Sequence, residues 1–570
     1  AKGEKNNGMN HPEPTVSGGN VSLMSNFLNV LTPINGHKPS VTVMRHRTMD
    51  LLRQAKSRGT LDHTVRQMVL LTGLQNFLPA SYAKFQAVVL EGTIFMMSGL
   101  PLTRLAEKIV DQLRLPHSAP LGERLYTLVK DMPTLQKLGQ IICRSPGLDP
   151  EFKQALIGLE DNIKTVTYGR LQPVLAKEIK SLGPDCGVIP EKRILAEASV
   201  CAVVPAQVRL SKGRRTLEGV LKMVKPKVKR YMPGELVLLD RLVSFLDRRQ
   251  KEWGLGEFSF KGNLSQVRRL LENEMDLVSE QRNLDTARTY YGSDATLTIP
   301  ERLPASSPSM TAMSRIDGTK ITDVEHLSPR QKRRLAATLA KICILRPIQD
   351  MRSESIFHGD PHAGNLAYNF EGKRPKIIFY DWGMLGRLQR LERFTMALLT
   401  LGLIMGNAKA VFYAADMITK GQISSSKAMS AKIKAIIDEA INNLKGPDMG
   451  VLSIIEFLFE KFTYQGVIFS ADLLLYEKAL VTLKGVLADI DPTFNRDDYM
   501  VWAAITTFLD DVIRLRLLKL VMKDIWALYR HSLFLFLDIQ KLIFGFVMDV
   551  AVLGKKLPRV FSSNGSQKSC

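Results

Sequence analysis

His358-Gly-Asp-Pro-His-Ala-Gly-Asn365 is the stretch from which the fold can be inferred, and Asp381-Trp-Gly383 begins sixteen residues after it. Its carboxylate, Asp360, has an amide five positions later, Asn365, and a second carboxylate, Asp381, follows a short apolar run. Magnesium prefers such oxygen ligands and takes one or two carboxylates together with phosphate oxygens and water. The stretch therefore predicts a site that binds Mg²⁺ and phosphate groups.

The residues between Asn365 and Asp381 have the pattern of a β-hairpin. Leu366–Phe370 and Lys376–Tyr380 are short segments rich in strand-forming residues, and Glu371–Pro375 between them contains Gly and Pro. Two such segments around turn residues are typical of a hairpin. The sequence thus predicts a catalytic loop, a hairpin and a metal-binding turn, in that order.

Phosphoryl transfer from a nucleotide needs this set of parts. Asp360 would position or deprotonate the acceptor, while Asn365 and Asp381 would hold Mg²⁺ against the phosphates. The spacing between Asp360 and Asn365 equals that of the protein-kinase catalytic loop. Two other interpretations remain open: the short motifs could arise by chance, or two histidines beside an aspartate could form a different metal site.

The composition indicates a globular chain with anionic partners. The 570 residues suffice for two to four domains. The formal net charge is +22, which favours nucleotides, nucleic acid or an acidic lipid surface as partners. The five cysteines form no C-x-x-C pair, which argues against a disulfide framework or a zinc site. The longest uncharged apolar run, Phe394–Ala408, is shorter than the roughly 20 residues of a membrane-spanning helix.

Five regions follow from the pattern along the chain. Residues 1–40 are rich in Gly, Asn, Pro and Ser, which predicts a disordered tail. Residues 41–185 carry apolar residues at helical spacing, which predicts a helical extension. A small β-rich lobe is expected over 186–315 and a larger helical lobe over 316–505. Amphipathic helices and a tail are expected over 506–570.

Within the helical extension, the apolar spacing predicts individual helices. They cover Met44–Arg58, Thr64–Asn76, Ala83–Met97 and Leu102–Leu113. A later amphipathic helix contains Leu135-Gln-Lys-Leu-Gly-Gln140. By itself, a lysine and a glutamine three apart on a helix are more often a solvated face than a site.

The predicted small lobe contains a lysine in an apolar strand. Ile194–Val204 and Val220–Val224 have the pattern of strands, and the second contains Lys222. Burying a lysine is costly unless it has an anionic partner, and a kinase provides phosphates and a helix glutamate. The candidate glutamate lies in a helix predicted over Ser265–Ala287, which contains Glu274, Asp276 and Glu280. Alone, this acidic run could equally be a solvated helix face.

Further segments follow the order of a kinase fold. Met310–Met313 predicts the strand that leads to the hinge, where adenine would bind through backbone groups, and a helix is expected over Ser328–Met351. After Gly383, the pattern predicts helices almost to the end of the chain. They include Leu391–Met405, Ala408–Ile418, Ser426–Leu444 and Leu452–Phe462. An extra amphipathic helix is expected over Glu235–Arg249.

The last predicted helices, within Ile513–Leu553, are apolar but interrupted by Asp538, Lys541 and Asp549 and flanked by basic residues. Charges inside a spanning helix are expensive. An interfacial helix on a membrane surface, or a helix packed on the protein core, costs less.

Taken together, the motifs resemble the UbiB family of atypical kinase-like proteins, which act in coenzyme Q and other prenyl-lipid metabolism. The resemblance covers roughly residues 100–500, and its K-x-G-Q and E-x-D motifs are absent from ordinary protein kinases. The residues that carry it are Lys137-Leu-Gly-Gln140, Ala198-Ser199, Lys222, Glu274-x-Asp276, Glu280, Asp360, Asn365 and Asp381.

The resemblance implies an α+β, protein-kinase-like two-lobe fold with a role for each motif. Lys222 and Glu280 would form the ion pair between the lobes, and Asp360 would be the catalytic aspartate. Asn365 and Asp381 would hold Mg²⁺. Ala198 and Ser199 would lie at the phosphates and Met313 at the adenine of ATP or ADP. Lys137 and Gln140 would fold over the active site, with Lys137 near Glu274.

The phosphate loop departs from the family pattern. The family has an Ala-rich A-A-A-S followed by I-G-Q, whereas this chain has Ala196-Glu-Ala-Ser-Val-Cys-Ala202. Glu197 adds a negative charge close to the expected phosphates. Cys201 replaces a glycine that would let the backbone approach the phosphates closely.

The resemblance implies a Mg-dependent ATPase or small-molecule kinase that supports ubiquinone synthesis, with a prenyl-quinone precursor or lipid as substrate. The net charge of +22 and the basic-flanked apolar segments near 513–559 predict peripheral association with an acidic membrane, at the cytoplasmic face of a bacterium or in a mitochondrion or plastid. A lipid-biosynthesis enzyme complex would be a further partner. No nucleic-acid partner is expected, because the basic stretches lack interleaved aromatic residues.

Two alternatives to this function stay open. The first is a pseudokinase scaffold, which the altered phosphate loop favours. The second is a small-molecule kinase of the aminoglycoside-phosphotransferase type, which shares the H-G-D-x-H-x-x-N string. Lys137–Gln140 and the pair Glu274 and Asp276 argue against the second alternative, because that group has neither motif.

Overall fold

The computed structural model describes residues 30–33, 37–73, 85–116, 118–136, 138, 166–182, 187–198, 200–209, 216–254, 268, 271–350, 352–444, 450–495 and 497. These residues belong to two compact units. The first comprises Ala1–Ser279 and Leu303–Ser314, and the second comprises Glu280–Arg302 and Arg315–Cys570. The predicted C-terminal helices within 506–570 lie outside the described residues, as does most of the predicted tail.

The helices are numbered in chain order over the described residues. They are α1 (Val41–Ser57), α2 (Leu61–Leu71), α3 (Gln86–Ser98), α4 (Leu102–Leu113), α5 (Leu121–Val129), α6 (Tyr168–Ser181), α7 (Pro226–Arg249), α8 (Leu277–Tyr291), α9 (Pro329–Ala340), α10 (Arg346–Gln349), α11 (Arg390–Ile404), α12 (Ala408–Ile418), α13 (Lys427–Leu444), α14 (Val451–Tyr464) and α15 (Ala471–Ile490).

The strands are numbered in the same way. They are β1 (Gly187–Pro190), β2 (Ala196–Glu197), β3 (Cys201–Arg209), β4 (Thr216–Val224), β5 (Leu297–Thr298), β6 (Met310–Ser314), β7 (Thr319–Lys320), β8 (Glu354–His358), β9 (Leu366–Glu371), β10 (Arg374–Phe379) and β11 (Leu385–Gln389).

The first unit contains the predicted helical extension. Helices α1 to α4 confirm the four helices that apolar spacing predicted, and the bounds of α4 match its prediction. Their apolar faces meet α7 in one core, which includes Leu105, Ile109, Met132, Leu239 and Leu242. Helix α7 confirms the predicted extra helix but begins nine residues earlier, at Pro226, because proline is well suited to the first turn.

A buried ion pair crosses this helical core. Arg104 of α4 donates to Glu235 of α7 at 2.6 Å, and both side chains are buried. The second oxygen of Glu235 accepts from the hydroxyl of Thr134 at 2.7 Å. Arg104 also donates to the carbonyl oxygen of Asp131 at 2.9 Å. The network therefore fixes residues 131–134 against α4 and α7.

The first unit also contains an antiparallel sheet in the order β1-β3-β4-β6, with β2 paired to β3. The prediction of one strand over Ile194–Val204 is wrong. The chain turns after β2, where the N–H of Ala198 donates to the carbonyl oxygen of Cys201 at 2.9 Å. Strand β3 begins only at Cys201 and continues to Arg209, paired along its whole length with β4.

The predicted continuous helix over Ser265–Ala287 is also wrong. Residues 271–275 are helical, Asp276 is not, and α8 begins at Leu277. The carboxylate of Asp276 accepts from the backbone N–H and the hydroxyl of Ser279, at 2.9 and 2.6 Å. These hydrogen bonds are those of an N-cap, which satisfies donors that the first helical turn leaves unpaired. Asp276 therefore starts a new helix.

The second unit contains the hairpin that the sequence predicted. Strands β9 and β10 pair antiparallel with Glu371 opposite Arg374, and Gly372 in the turn has a φ of +63°. Glycine adopts this conformation without the cost that a Cβ imposes. The sheet has the order β5-β10-β9-β7.

A second, two-stranded sheet frames the same region. Strand β8 ends at His358 and pairs antiparallel with β11, in which Leu385 lies opposite His358. The prediction that the chain is helical directly after Gly383 is therefore wrong. The pattern missed β11 because its five residues, Leu385–Gln389, include a glycine, an arginine and a glutamine, so their apolar alternation is weak.

Helices α11 to α15 confirm the helical remainder of this unit up to Ile490. The helix predicted over Ser328–Met351 begins at Pro329, directly after its N-cap Ser328, whose side chain forms a capping box with Gln331. It is interrupted by a π-helical turn over Lys341–Leu345. The described residues contain no helix that is both long and apolar enough to span a bilayer. The α+β class predicted from the sequence is confirmed.

Candidate functional site

The predicted catalytic loop and the predicted metal-binding turn are joined through one buried histidine. The N–H of Asp360 donates to Nδ1 of His358 at 3.1 Å. On the other side of the ring, Nε2 of His358 lies 2.5 Å from the carbonyl oxygen of Asp381. Because a carbonyl only accepts, the proton of the ring is on Nε2 and Nδ1 is the acceptor. The backbone of Asp360 and that of Asp381 are therefore held at a fixed separation by the imidazole.

The surroundings of His358 keep its ring neutral. The ring contacts Phe379 and Trp382, with centroids at 5.0 and 4.9 Å. Burial lowers the pKa of His358, against smaller opposing effects of the Asp381 carbonyl and of the carboxylates of Asp360 and Asp381. A neutral ring can accept from Asp360 and donate to Asp381 at the same time, which an imidazolium cannot do.

We expect acidification to loosen this link. The pKa of His358 in the folded chain lies below 6.5, its value when exposed. The contribution of this link to the free energy of unfolding is therefore fully present above pH 6.5. It is lost as the pH falls through the pKa of His358 in the folded chain, because the unfolded chain binds the proton first. The slope of the unfolding free energy should be at most about 1.4 kcal/mol per pH unit. Denaturant unfolding of the wild type and of His358→Asn from pH 7.5 to 4.5 measures it. Equal slopes for both proteins would contradict the assignment.

Asn365 and Asp381 lie on either side of the hairpin, and a backbone hydrogen bond connects Asn365 to the residue before Asp381. The N–H of Tyr380 donates to the carbonyl oxygen of Asn365 at 3.0 Å. The amide group of Asn365 donates to the carbonyl oxygen of Asp360 at 3.2 Å. Oδ1 of Asp381 accepts from the N–H of Gly383 at 2.7 Å. The structure thus brings the three residues of the predicted Mg²⁺ and catalytic set into one hydrogen-bonded group.

These donors fit a magnesium ion that also binds phosphates. One carboxylate and one amide oxygen are hard ligands, and Mg²⁺ commonly takes few protein ligands and completes its shell with phosphate and water. Within the described part of the chain, no three His, Cys, Asp or Glu side chains are grouped as a metal site of their own.

Two nitrogen-bearing side chains, the imidazole of His362 and the ammonium group of Lys478, lie beside the Asp360 carboxylate. Nε2 of His362 is 4.0 Å from Oδ2, and Nζ of Lys478 in α15 is 3.9 Å from Oδ1. The His362 ring is oriented by the N–H of Gly364, which donates to its Nδ1 at 3.0 Å. Lys478 is more than a hundred residues from Asp360 along the chain, so no local pattern indicated it.

In the first unit, Lys222 lies in an inner strand of the sheet. It is buried on β4, opposite Val203 of β3 and Thr311 of β6. Glu280 is buried in the first turn of α8 and belongs to the second unit. Their predicted ion pair stays a prediction. Met313 is buried on β6, in the same sheet as Lys222, and its predicted adenine contact likewise stays a prediction.

The charge that the sequence analysis assigned to the phosphate loop is neutralised. Nζ of Lys225 is 2.8 Å from Oε1 of Glu197, and only 3% and 6% of the two side chains are exposed. The N–H of Val166 also donates to Oε1 of Glu197 at 3.2 Å. Burial lowers the pKa of Lys225, and Glu197 opposes that effect. Glu197 is therefore a buried member of an ion pair and adds little net charge to the loop.

The side chain of Cys201 lies in the interior of the first unit. It is buried in the helical core of the first unit, and its thiol lies 3.8 Å from the carbonyl oxygen of Glu274, so the E-x-D segment packs against the start of β3. Ala198 is exposed in the turn before it. Lys137, Gln140 and Ser199 lie outside the described residues, and their predicted roles stay predictions.

Comparison with known families gives a match over the central part of the chain. Residues 158–415 match the family model of the ABC1 atypical kinase-like domain. The chain is 25% identical to an uncharacterised protein of Synechocystis sp., over 68% of this chain and 64% of that protein. It is 22% identical to a Xanthomonas campestris protein named Probable protein kinase UbiB, over 69% and 70%.

A plant relative and a solved structure extend the comparison. The Arabidopsis thaliana protein named Activity of bc1 complex kinase 7, chloroplastic, is 23% identical over 64% of this chain and 51% of its own length. A Mycobacterium tuberculosis protein solved in complex with erythromycin aligns with 65% of this chain and 91% of its own, with a TM-score of 0.40 and 16% identity.

The match spans only part of the curated relatives, between 51% and 70% of the three described. The residues that match the family model nevertheless include Lys222, Glu280, Asp360, Asn365 and Asp381. The resemblance and the kinase-like two-lobe α+β class inferred from the motifs are confirmed. The chain carries an ABC1 atypical kinase-like domain over residues 158–415.

Proposed function

We propose that this protein is a magnesium-dependent ATPase or small-molecule kinase that supports prenyl-quinone lipid synthesis. The observation that carries the proposal is the histidine link between Asp360 and Asp381. A neutral His358 accepts from the backbone of one and donates to the backbone of the other. Such a link keeps a catalytic carboxylate and a metal-binding carboxylate in register, and preorganisation of this kind is what phosphoryl transfer requires.

Each residue of the group has a role in this proposal. Asn365 and Asp381 would hold Mg²⁺, which when bound neutralises the charge of the phosphate oxygens. Asp360 would orient the acceptor, either water or a hydroxyl group, and take its proton. In the transfer, the bond from the terminal phosphorus to the bridging oxygen breaks and a bond to the acceptor oxygen forms. ADP leaves with the electron pair, and the acceptor proton passes to Asp360.

The family resemblance assigns contacts with the nucleotide phosphates to Lys222, and we propose that role for it. The buried pair of Lys225 and Glu197 supports this part of the proposal, because it removes the electrostatic argument against phosphate binding near Ala198. The purely scaffolding alternative rested partly on the charge of Glu197. It now rests on Cys201 alone, which is buried.

The proposed link to lipid synthesis rests on the names of the relatives and on the net charge of the chain. The name UbiB belongs to several relatives, and its link to ubiquinone comes from the resemblance. A net charge of +22 would favour an acidic membrane surface, where each basic side chain near the surface contributes about 1 kcal/mol. We therefore propose peripheral contact with acidic lipid, and a phenolic prenyl-quinone precursor as the acceptor class.

Nucleotide turnover by the purified protein tests the proposal. Phosphate release from MgATP should be measurable, should rise with anionic liposomes and should rise further with a phenolic quinone precursor. Neutral liposomes and added salt are the controls, because screening shortens the range of surface attraction. Asp360→Asn should abolish the release. Tight MgATP binding without turnover under any condition would favour the scaffold, and the absence of both would overturn the proposal.

A further inference from the structure

Helix α15 is docked directly on the catalytic loop. Gly359 lies so close to Leu475 that a Cβ on this glycine would come within 2.9 Å of its side chain. In the next position, Tyr476 stacks edge-on against Phe357 at 5.0 Å and donates to the carbonyl oxygen of Ile344 at 2.7 Å. Because the contacts of Tyr476 are buried, the helix is fixed relative to Phe357 and Ile344.

The first turn of α15 is fixed by an N-cap and by a hydrogen bond to β11. Ser470 caps it, with its hydroxyl accepting from the N–H of Leu473 at 3.2 Å. Oδ1 of Asp472 accepts from the N–H of Arg387 on β11 at 3.0 Å. The helix therefore has contacts with both strands that frame the site, β8 through Phe357 and β11 through Arg387.

Lys478 follows Leu475 by three residues, so the two side chains share a face of α15. Its Nζ lies 3.9 Å from Oδ1 of Asp360 and 3.8 Å from the sulfur of Met384, the residue after the metal-binding turn. The side chain of Lys478 is 40% exposed and that of Asp360 is 16% exposed. A solvent-accessible ammonium group therefore lies between the catalytic carboxylate and the end of that turn.

The ion pair with Asp360 adds little to the stability of the fold. A distance of 3.9 Å is longer than a hydrogen bond, and a partly exposed ion pair of this kind contributes about 0–1 kcal/mol. An ammonium group is, however, a compact charge with three donors, well suited to a phosphate oxygen. A phosphoryl group that approached Asp360 would bring negative charge next to that carboxylate, and a cation at this place would offset the repulsion.

We propose that Lys478 binds the terminal phosphoryl group of the nucleotide beside Asp360. This inference rests on the proposed function, because it requires that a nucleotide is bound. Lys478 donates to a non-bridging oxygen of the group while the bond to the bridging oxygen breaks and the bond to the acceptor oxygen forms. The lysine keeps its proton throughout, and the acceptor proton goes to Asp360.

The chain offers a matched control on the same helix. Nζ of Lys484 is also 3.9 Å from a carboxylate, that of Glu456, with side chains 52% and 18% exposed. Lys478→Gln and Lys484→Gln therefore remove the same charge from similar ion pairs, one at the catalytic loop and one away from it. Lys478→Arg keeps the charge and tests for partial rescue.

The experiment measures the affinities for MgATP and MgADP by calorimetry, together with the turnover number. Lys478→Gln should weaken MgATP binding about tenfold, the effect of one charge-assisted hydrogen bond at an exposed site. MgADP binding should change less than twofold, because the terminal phosphoryl group is absent. Turnover should fall at least tenfold, Lys478→Arg should recover part of it, and Lys484→Gln should match the wild type.

The outcomes separate this inference from the function on which it rests. If the wild type binds MgATP but Lys478→Gln and Lys484→Gln behave alike, Lys478 belongs to a structural ion pair only and the inference is wrong. An equal loss of MgATP and MgADP affinity would also overturn it, since the contact would not be to the terminal group. If the wild type binds neither nucleotide, the proposed function and the inference both fail.

Discussion

Replacing Asp381 by asparagine is expected to abolish Mg-dependent nucleotide binding while the protein stays folded. The carboxylate is the one charged metal ligand in the proposed set, and its Oδ1 already accepts from the N–H of Gly383 at 2.7 Å. Asparagine can keep that hydrogen bond but lacks the charge. At a ligand concentration one hundred times the dissociation constant, the wild type should gain about 2.7 kcal/mol of stability from MgATP. Asp381→Asn should gain none, as measured by thermal unfolding with and without MgATP.

Glu371→Gln is the control for this experiment. Glu371 is an exposed carboxylate in the same unit, paired with Lys376 at 2.9 Å and outside the hydrogen-bonded group of the site. Its variant should keep the full thermal shift. An unchanged shift in Asp381→Asn would rule out the metal assignment, and a shift that persists with EDTA in the wild type would show that nucleotide binding does not need the metal.

The second large effect is expected from Lys225→Met, which leaves Glu197 buried without its cation. Both side chains are almost fully buried and 2.8 Å apart. Removing one partner of a buried pair commonly costs about 3–5 kcal/mol, because the remaining charge has lost its compensation. We expect a loss of this size in the free energy of unfolding, measured with denaturant.

Two further variants identify the cause of that loss. Arg193 and Glu191 form an ion pair at 2.6 Å in the same unit, but their side chains are 52% and 44% exposed. Arg193→Met should therefore cost about 1 kcal/mol or less. The double variant Lys225→Met with Glu197→Gln should recover most of the stability, because no buried charge is left. A loss in Lys225→Met no greater than in Arg193→Met would contradict the buried-pair interpretation.

Local sequence patterns were sufficient to predict the elements that are stabilised by residues close together in the chain. The hairpin of β9 and β10 was predicted because its strands and its turn are adjacent in the chain, and Gly372 marks the turn by its freedom to adopt a positive φ. Helix α4 was predicted to the residue because its apolar positions recur at helical spacing. The errors occurred where a distant partner decides the structure. Strand β11 exists because β8 pairs with it, and the helix before α8 ends at Asp276 because that side chain caps the next helix.

The sequence by itself indicated the chemistry that we propose for this protein. The types and spacing of Asp360, Asn365 and Asp381 indicated phosphoryl transfer with magnesium, because oxygen ligands at these intervals depend on covalent order alone. Only the tertiary structure decided the electrostatics around those groups. Lys225 neutralises Glu197, and Lys478 reaches Asp360, through contacts between residues that lie 28 and 118 positions apart in the chain. Charges act through space at a few ångströms, and no pattern along the chain specifies which distant side chains will meet at that range.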